Sequence, residues 1–278
     1  MSFLIVQGLT LPPEVALHLA SLTGAQRSRA LNASTIRFES VQRREGVAEY
    51  CREHQLDFAF LEYLRPLAEF RVLAMDMDST LITIECIDEL ADFAGVQPRV
   101  ASITAAAMRG ELDFPTALSQ RVALLAGLPE TALQKVYDER LHLSPGAERL
   151  LAAAQAAGLK TLLVSGGFTF FTQRLARRLR LDHTLANELE IHAGCLTGRI
   201  VGDIVDASAK AAKLVSVCAE AGVALADTIA IGDGANDLKM LSLAGLSVAY
   251  RAKPIVQHQA AIALNFSGLD GVLNCLAE

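Results

Sequence analysis

The chain has 278 residues, 52% hydrophobic and 20% charged, a balance that excludes a disordered or fibrous polymer and allows one large or two modest domains. Its net charge of -6, without a long basic run, gives no support to nucleic-acid or anionic-membrane partners. The five cysteines lack C-x-x-C spacing, the six histidines form no metal-ligand pattern, the N-terminus lacks the basic region of a signal peptide, and no apolar run is long enough for a membrane span; reduced thiols in a cytoplasmic protein are expected.

In chain order, Phe3 to Val6 reads as a strand, and Pro12-Pro13-Glu14 opens a helix through Leu22, with proline in the first turn where its missing N–H costs nothing. Ser34 to Glu39 alternates as a half-buried strand, Val47 to Gln55 reads as a helix and Asp57 to Tyr63 as a further strand. Residues 1–70 are therefore expected to form a small α+β domain. From Arg71 the pattern changes to apolar strands alternating with Ala- and Leu-rich helices. The strands are Val72 to Met75, Lys160 to Val164, Thr228 to Ile231 and Leu246 to Tyr250; the helices include Gly146 to Ala157 and Lys210 to Ala221. This alternation predicts an α/β fold, a Rossmann-like parallel sheet core with helices on both faces. Glu188 to Val205 reads as a hairpin turning near Ala193-Gly194. Between Thr83 and about Leu143 there is helix after helix and no strand, a helical cap inserted after the first core strand and placed to act as a lid. The expected division is 1–70, then 71–82 with 144–278 as the core, and 83–143 as the cap.

In open parallel sheets ligands bind beyond the carboxyl ends of the strands, and four polar clusters fall there. Asp76-Met77-Asp78-Ser79-Thr80 follows the apolar run Val72 to Met75. Two acids so placed want a hard cation, a shared proton or both. Asp76 reads as a nucleophile towards phosphorus and Asp78 as the general acid and base; the competing reading is a pair of helix caps. Asp233 and Asp237, in Gly232-Asp233-Gly234-Ala235-Asn236-Asp237, would join Asp76 in holding Mg²⁺, although Gly and Asp also make ordinary turns. Ser165-Gly166-Gly167 offers a hydroxyl and backbone N–H groups to a phosphate at a helix start, or is a plain strand-to-helix turn. Lys210 is an ammonium able to hold nucleophile and phosphate together, or is a solvated helix residue.

Taken together and in this order, Asp76 to Thr80, Val164 to Phe168, Lys210 and Gly232 to Asp237 resemble the four motifs of the haloacid dehalogenase superfamily, and the second acid, Asp78, marks its phosphatase and phosphotransferase branches. Glu85 to Ala91, Gly110 to Phe114, Ser119 to Val122, Ala186-Asn187 and Ala252-Lys253-Pro254 extend the resemblance, from about Arg71 to Ala277, to the phosphoserine phosphatase branch. That resemblance implies Mg²⁺-dependent hydrolysis of phosphoserine through an aspartyl phosphate, the last step of serine biosynthesis. It implies that Mg²⁺ is held by the Asp76 carboxylate, the Asp78 backbone carbonyl and Asp233, with Asp237 behind them. Ser165, Gly166 and Lys210 would hold the phosphate, with Asn236 beside it. Phosphoserine adds an ammonium and a carboxylate, and Glu85 and Arg121 match the residues the branch uses for those groups, an arginine being able to grip a carboxylate through two N–H groups. Met108 and Phe114 match apolar lid positions. The N-terminal segment is similar in element order to ACT-type modules, which regulate or dimerise, so a homodimer through residues 1–70 is a further expectation. The alternatives are action on another small phosphomonoester, phosphate transfer to an acceptor, or a non-catalytic amino-acid sensor.

Overall fold

The computed structural model describes residues 2–277. The N-terminal part runs β1 (Phe3–Gln7), α1 (Pro13–Thr23), β2 (Arg27–Asn32), β3 (Thr35–Glu39), α2 (Val47–Glu53) and β4 (Asp57–Leu61). Its strands form one antiparallel sheet in the order β2-β3-β1-β4, the arrangement of a split β-α-β-β-α-β unit. Strand β2 was not foreseen from the sequence. Arg-Ser-Arg-Ala-Leu-Asn shows no apolar alternation because β2 lies at the sheet edge and is exposed along nearly its whole length. The other strands alternate as a two-sided sheet must. Leu4, Val6, Ile36 and Phe38 pack with Val15 and Leu19 of α1 and Val47 and Cys51 of α2, while Ile5 and Ala59 join the main core on the opposite face.

That second face is fastened to the rest of the chain by polar contacts. The Asp57 carboxylate, 2% exposed, accepts backbone N–H groups from Asn265 (2.6 Å), Phe266 (3.2 Å) and Ser267 (2.8 Å). Gln7 donates to Gly271 O and accepts from the Asn274 amide, and Arg37 donates to Leu276 O.

Beyond residue 70 the chain continues as β5 (Val72–Met75), α3 (Cys86–Phe93), α4 (Gln97–Met108), α5 (Phe114–Ala123), α6 (Thr131–Glu139), α7 (Ala147–Ala156), β6 (Lys160–Phe168), α8 (Thr169–Leu179), β7 (His183–His192), β8 (Cys195–Val201), α9 (Ala207–Ala221), β9 (Thr228–Gly232), α10 (Leu238–Leu243), β10 (Leu246–Tyr250), α11 (Pro254–Gln259), β11 (Ile262–Leu264) and α12 (Gly271–Asn274). The seven strands are ordered β11-β10-β9-β5-β6-β7-β8, all parallel except β8 against β7. Val72 and Ala74 pack on one face with Leu214, Val217 and Met240. Leu73 and Met75 pack on the other with Leu150, Leu151 and Phe171. Burial on both faces explains the unbroken apolar run of β5.

Two differences from the sequence reading matter for the site. Strand β6 does not stop at Val164 but continues through Ser165-Gly166-Gly167 to Phe168, so those residues are extended backbone rather than a helix start. Strand β7 begins at His183, where it pairs parallel with β6 before entering the hairpin with β8. The hairpin turns at Ala193-Gly194 as expected, with β8 ending at Val201. The cap segment between α5 and α6 is also sewn to this hairpin: Gly127 N–H donates to Leu196 O, Leu196 N–H to Leu128 O and Glu130 N–H to Gly194 O. No helix among the described residues is long and apolar enough to cross a membrane.

Candidate active site

Strands β9, β5 and β6 are neighbours, so sheet order alone brings together residues that lie 157 positions apart in sequence, from Asp76 to Asp233. Asp76 follows β5 in extended conformation, and its own N–H continues the ladder to Ile231 O. Asp78 is past the strand. It reaches the same site because the backbone stays extended there and Ser79 then takes a left-handed φ of 55°, a strained value for a non-glycine residue, which turns the chain towards the cap.

The centre is Lys210, buried in the first turn of α9, whose Nζ lies 2.8 Å from Asp76 Oδ1 and 2.8 Å from Asp237 Oδ1. Asp76 Oδ1 also accepts the Met77 N–H at 2.7 Å, whereas Oδ2 has no donor among the described residues. Asp237 is engaged on both oxygens, since Oδ2 accepts the Gly234 N–H. Asp233 is half-buried and receives the Thr80 hydroxyl at 3.4 Å. Oxygens of Asp76, Asp233 and Asp237 all lie within 4.8 Å of one another. Three carboxylates against one ammonium leave two negative charges in excess, and every donor is a hard oxygen; the set fits a divalent cation. The electrostatics agree. Burial, then the Asp237 charge, pushes the Asp76 carboxyl well above the usual carboxylate range, and the same two causes push Asp233 up to about 6. Burial draws the Lys210 ammonium down, but Asp237 and Asp76 outweigh it and hold it above its ordinary value.

Asp78 is held differently. Oδ1 accepts the Cys86 N–H at 3.0 Å and Oδ2 the Ser165 hydroxyl at 3.3 Å, while Ser165 Oγ accepts the Gly167 N–H at 2.8 Å. Burial raises its pKa against these donors. A side chain at Gly167 would collide with Asp78 Oδ2, so glycine there follows from close packing.

The cap contributes Glu85, Phe114 and Arg121. Glu85 accepts the Ser79 hydroxyl at 2.7 Å. It is exposed, yet desolvation by the atoms crowded around its carboxyl and the Asp78 charge push it up to about 7. Arg121 donates to Ala117 O and faces Asp88, Glu85 and Asp78; burial lowers its pKa and these acids oppose that. The Phe114 ring lies over Gly166, where an added Cβ would sit 2.8 Å from Cζ. Asn236 is half-buried in the turn Ala235–Asp237 beside Gly234. Met108 is not brought to the cluster: it ends α4 with 66% of its surface exposed, and the chain then reverses through Gly110 so that Phe114 meets the core instead.

Thr80, Asp88, Asn187 and Lys253 were not singled out as site residues in the sequence. Lys253 donates its backbone N–H to Asp233 O, and its charge opposes the rise in the Asp233 pKa. All four lie in stretches that carry the family resemblance, which was the available signal.

A parallel sheet with a helical cap, and an acid cluster around a buried lysine at its carboxyl edge, define a hydrolase class. The sequence profile of the haloacid dehalogenase-like hydrolases matches residues 73–242, and the chain belongs to that family. Within the class, the chain is 54% identical over 212 residues to a phosphoserine phosphatase of Polaromonas sp., covering 74% of this chain and 90% of the relative. A family hydrolase from Salmonella enterica superposes with a TM-score of 0.88 at 33% identity, covering 100% of this chain and 99% of the other. A phospho-aspartyl intermediate analogue of phosphoserine phosphatase superposes with a TM-score of 0.70 at 37% identity, covering 75% of this chain and 99% of the other. A domain of unknown function matches residues 4–47.

Proposed function

We propose that the chain hydrolyses O-phosphoserine to serine and phosphate, with Mg²⁺ as the metal ion, through an aspartyl phosphate on Asp76. The observation that carries this reading is the asymmetry of Asp76: Oδ1 is fixed by the Met77 N–H and Lys210, and Oδ2 is left without a donor. In this reading Oδ2 attacks phosphorus, a bond forms between them, and the bond from phosphorus to the serine oxygen breaks. Asp78, whose pKa burial raises, gives its proton to that oxygen as it leaves. The Asp78 carboxylate then takes a proton from water, the water oxygen bonds to phosphorus, and the bond to Asp76 breaks. Phosphate departs and both acids return to their starting states. Ser165, Gly166 and Lys210 hold the phosphate oxygens, and Asn236 lies beside them. Asp76, Asp233 and the Asp78 backbone carbonyl would hold Mg²⁺, with Asp237 behind them orienting Lys210. A bound Mg²⁺ supplies charge neutralisation to the phosphate.

Glu85 and Arg121 take the substrate ammonium and carboxylate, and Phe114 excludes water from above Gly166. Residues 83–143 act as the specificity lid over a core of 71–82 and 144–278, and residues 1–70 form an ACT-like module. The place of β2 at the edge of the described sheet supports a homodimer through that module; a monomer at all concentrations in sedimentation would remove it. In this reading the reaction stands at the end of serine biosynthesis, with the cytoplasm as the proposed compartment.

The test is phosphate release from a panel of phosphorylated amino acids, sugar phosphates and aryl phosphates, with and without Mg²⁺, for the full chain and for Asp76→Asn. Phosphoserine is expected to be preferred, the activity to need Mg²⁺, and D76N to be inactive. Equal turnover of phosphoserine and a simple sugar phosphate sinks the substrate assignment, and an active D76N sinks the mechanism.

A further inference from the structure

Asn187 is 1% exposed in β7, and its amide uses three hydrogen-bonding positions. Nδ2 donates to Gly166 O at 2.7 Å and to Gly167 O at 3.3 Å, and Oδ1 accepts the Val205 N–H at 2.8 Å. The β6–β7 register shows why a side chain is needed. Val164 pairs with Leu185 and the next pair is Phe168 with Asn187, so β6 carries two residues more than β7 over this interval. The Ser165-Gly166-Gly167 bulge therefore has no regular ladder partner, and its carbonyls would be left without donors in a half-buried wall. In a trans peptide the C=O and the following N–H point in opposite directions. Turning Gly166 O towards Asn187 thus turns the Gly167 N–H away from it, onto Ser165 Oγ, whose hydroxyl meets Asp78. On its other side Asn187 holds Val205, next to Asp206, whose carboxylate caps α9 by accepting the Ser208 and Ala209 N–H groups one turn from Lys210.

We infer that Asn187 is a positioning residue of the phosphate site: one buried amide fixes the direction of the peptide groups in the Ser165–Gly167 bulge and ties that bulge to the start of the helix carrying Lys210. It touches no reacting atom and acts through Gly166, Gly167 and Val205. Only a short side chain with two donors and an acceptor meets this demand. Aspartate keeps the acceptor for Val205 but sets a carboxylate against two carbonyl oxygens; serine is too short to span both elements. The inference rests on the phosphomonoesterase reading for its kinetic consequence, but not for its consequence for oxyanion binding.

The experiment compares full-length wild type, Asn187→Asp and Asn187→Ser by thermal unfolding, by kcat and KM for phosphoserine, by the affinity of inorganic phosphate as a competitive inhibitor and as a calorimetric ligand, and by Mg²⁺ affinity. Both folded variants are expected to lose about 10- to 100-fold in kcat/KM and to bind inorganic phosphate at least about 10-fold more weakly, with Mg²⁺ affinity unchanged. A purely structural role would lower the unfolding temperature and leave phosphate affinity of the folded protein as in wild type, and that result overturns the inference. So does a parallel loss of Mg²⁺ and phosphate affinity, or the failure of both variants to fold, since either assigns Asn187 to general packing. A wild type that binds phosphate but hydrolyses no phosphoserine defeats the activity reading alone, and the calorimetric comparison still decides Asn187.

Discussion

Replacing Lys210 by methionine keeps most of the length of the side chain and removes its charge. Lys210 Nζ lies 2.8 Å from each of two buried carboxylates. Each contact is worth about 6 kcal/mol gross at an effective dielectric constant of about 20, and desolvation of the three groups offsets much of that. Breaking a buried pair from one side leaves the remaining charge uncompensated, at a net cost of about 3–5 kcal/mol. For a chain of this size that lowers the unfolding temperature by about 5–9 °C. The sign of the pH dependence follows from the acids. The folded-state pKa values of Asp76 and Asp233 are already raised, Asp233 to about 6, and loss of the ammonium raises them further. Between the unfolded value of about 4 and those raised values the native state binds more protons, so its stability falls as pH rises. In EDTA the penalty of Lys210→Met should therefore be small at about pH 4 and grow as pH rises through about 6. Added Mg²⁺ should return part of the loss, and kcat should fall by about 10²- to 10³-fold. Differential scanning calorimetry across pH, with and without Mg²⁺, measures this. A variant as stable as wild type in EDTA at about pH 7 would refute the premise that one ammonium balances the carboxylates.

The remaining predictions concern the lid and the N-terminal sheet. Arg121→Ala should lower kcat/KM for phosphoserine about 100-fold while sparing an aryl phosphate, which has no carboxylate to bind; equal losses on both substrates would remove Arg121 from recognition. Only ionised Glu85 attracts an ammonium, so with its carboxyl pushed up to about 7 the kcat/KM for phosphoserine should climb as pH rises through that value. Glu85→Gln should abolish this inflection and leave the one from the phosphate group, and superimposable pH profiles would discard the assignment. Asp57→Ala strands the buried N–H groups of Asn265, Phe266 and Ser267 and should cost about 2–4 kcal/mol in denaturant unfolding. Loss of less than about 1 kcal/mol would mean that the N-terminal sheet is not held by this carboxylate.

What the sequence determined by itself is local. A fully apolar run followed by Asp76-Met77-Asp78, and Gly and Asp after Thr228 to Ile231, follow from periodicity and turn chemistry that act over a few residues. Those runs sufficed for the core strands, the helical insertion and the catalytic family. Elements without such a signature escaped. Strand β2 is too exposed to alternate, and the polar start of β7, His183-Thr184, is a strand because β6 offers it a ladder. Asp78 lies past the strand that carries Asp76, and the left-handed Ser79 turn and the Cys86 N–H are what aim it. Only the tertiary structure decided which acids share Lys210, that Phe114 rather than Met108 covers Gly166, and that Asn187 and Asp57 satisfy backbone groups on distant segments. The physical reason is common to these cases: a buried polar group is defined by partners that sheet order brings beside it from far along the chain, and no local pattern records them.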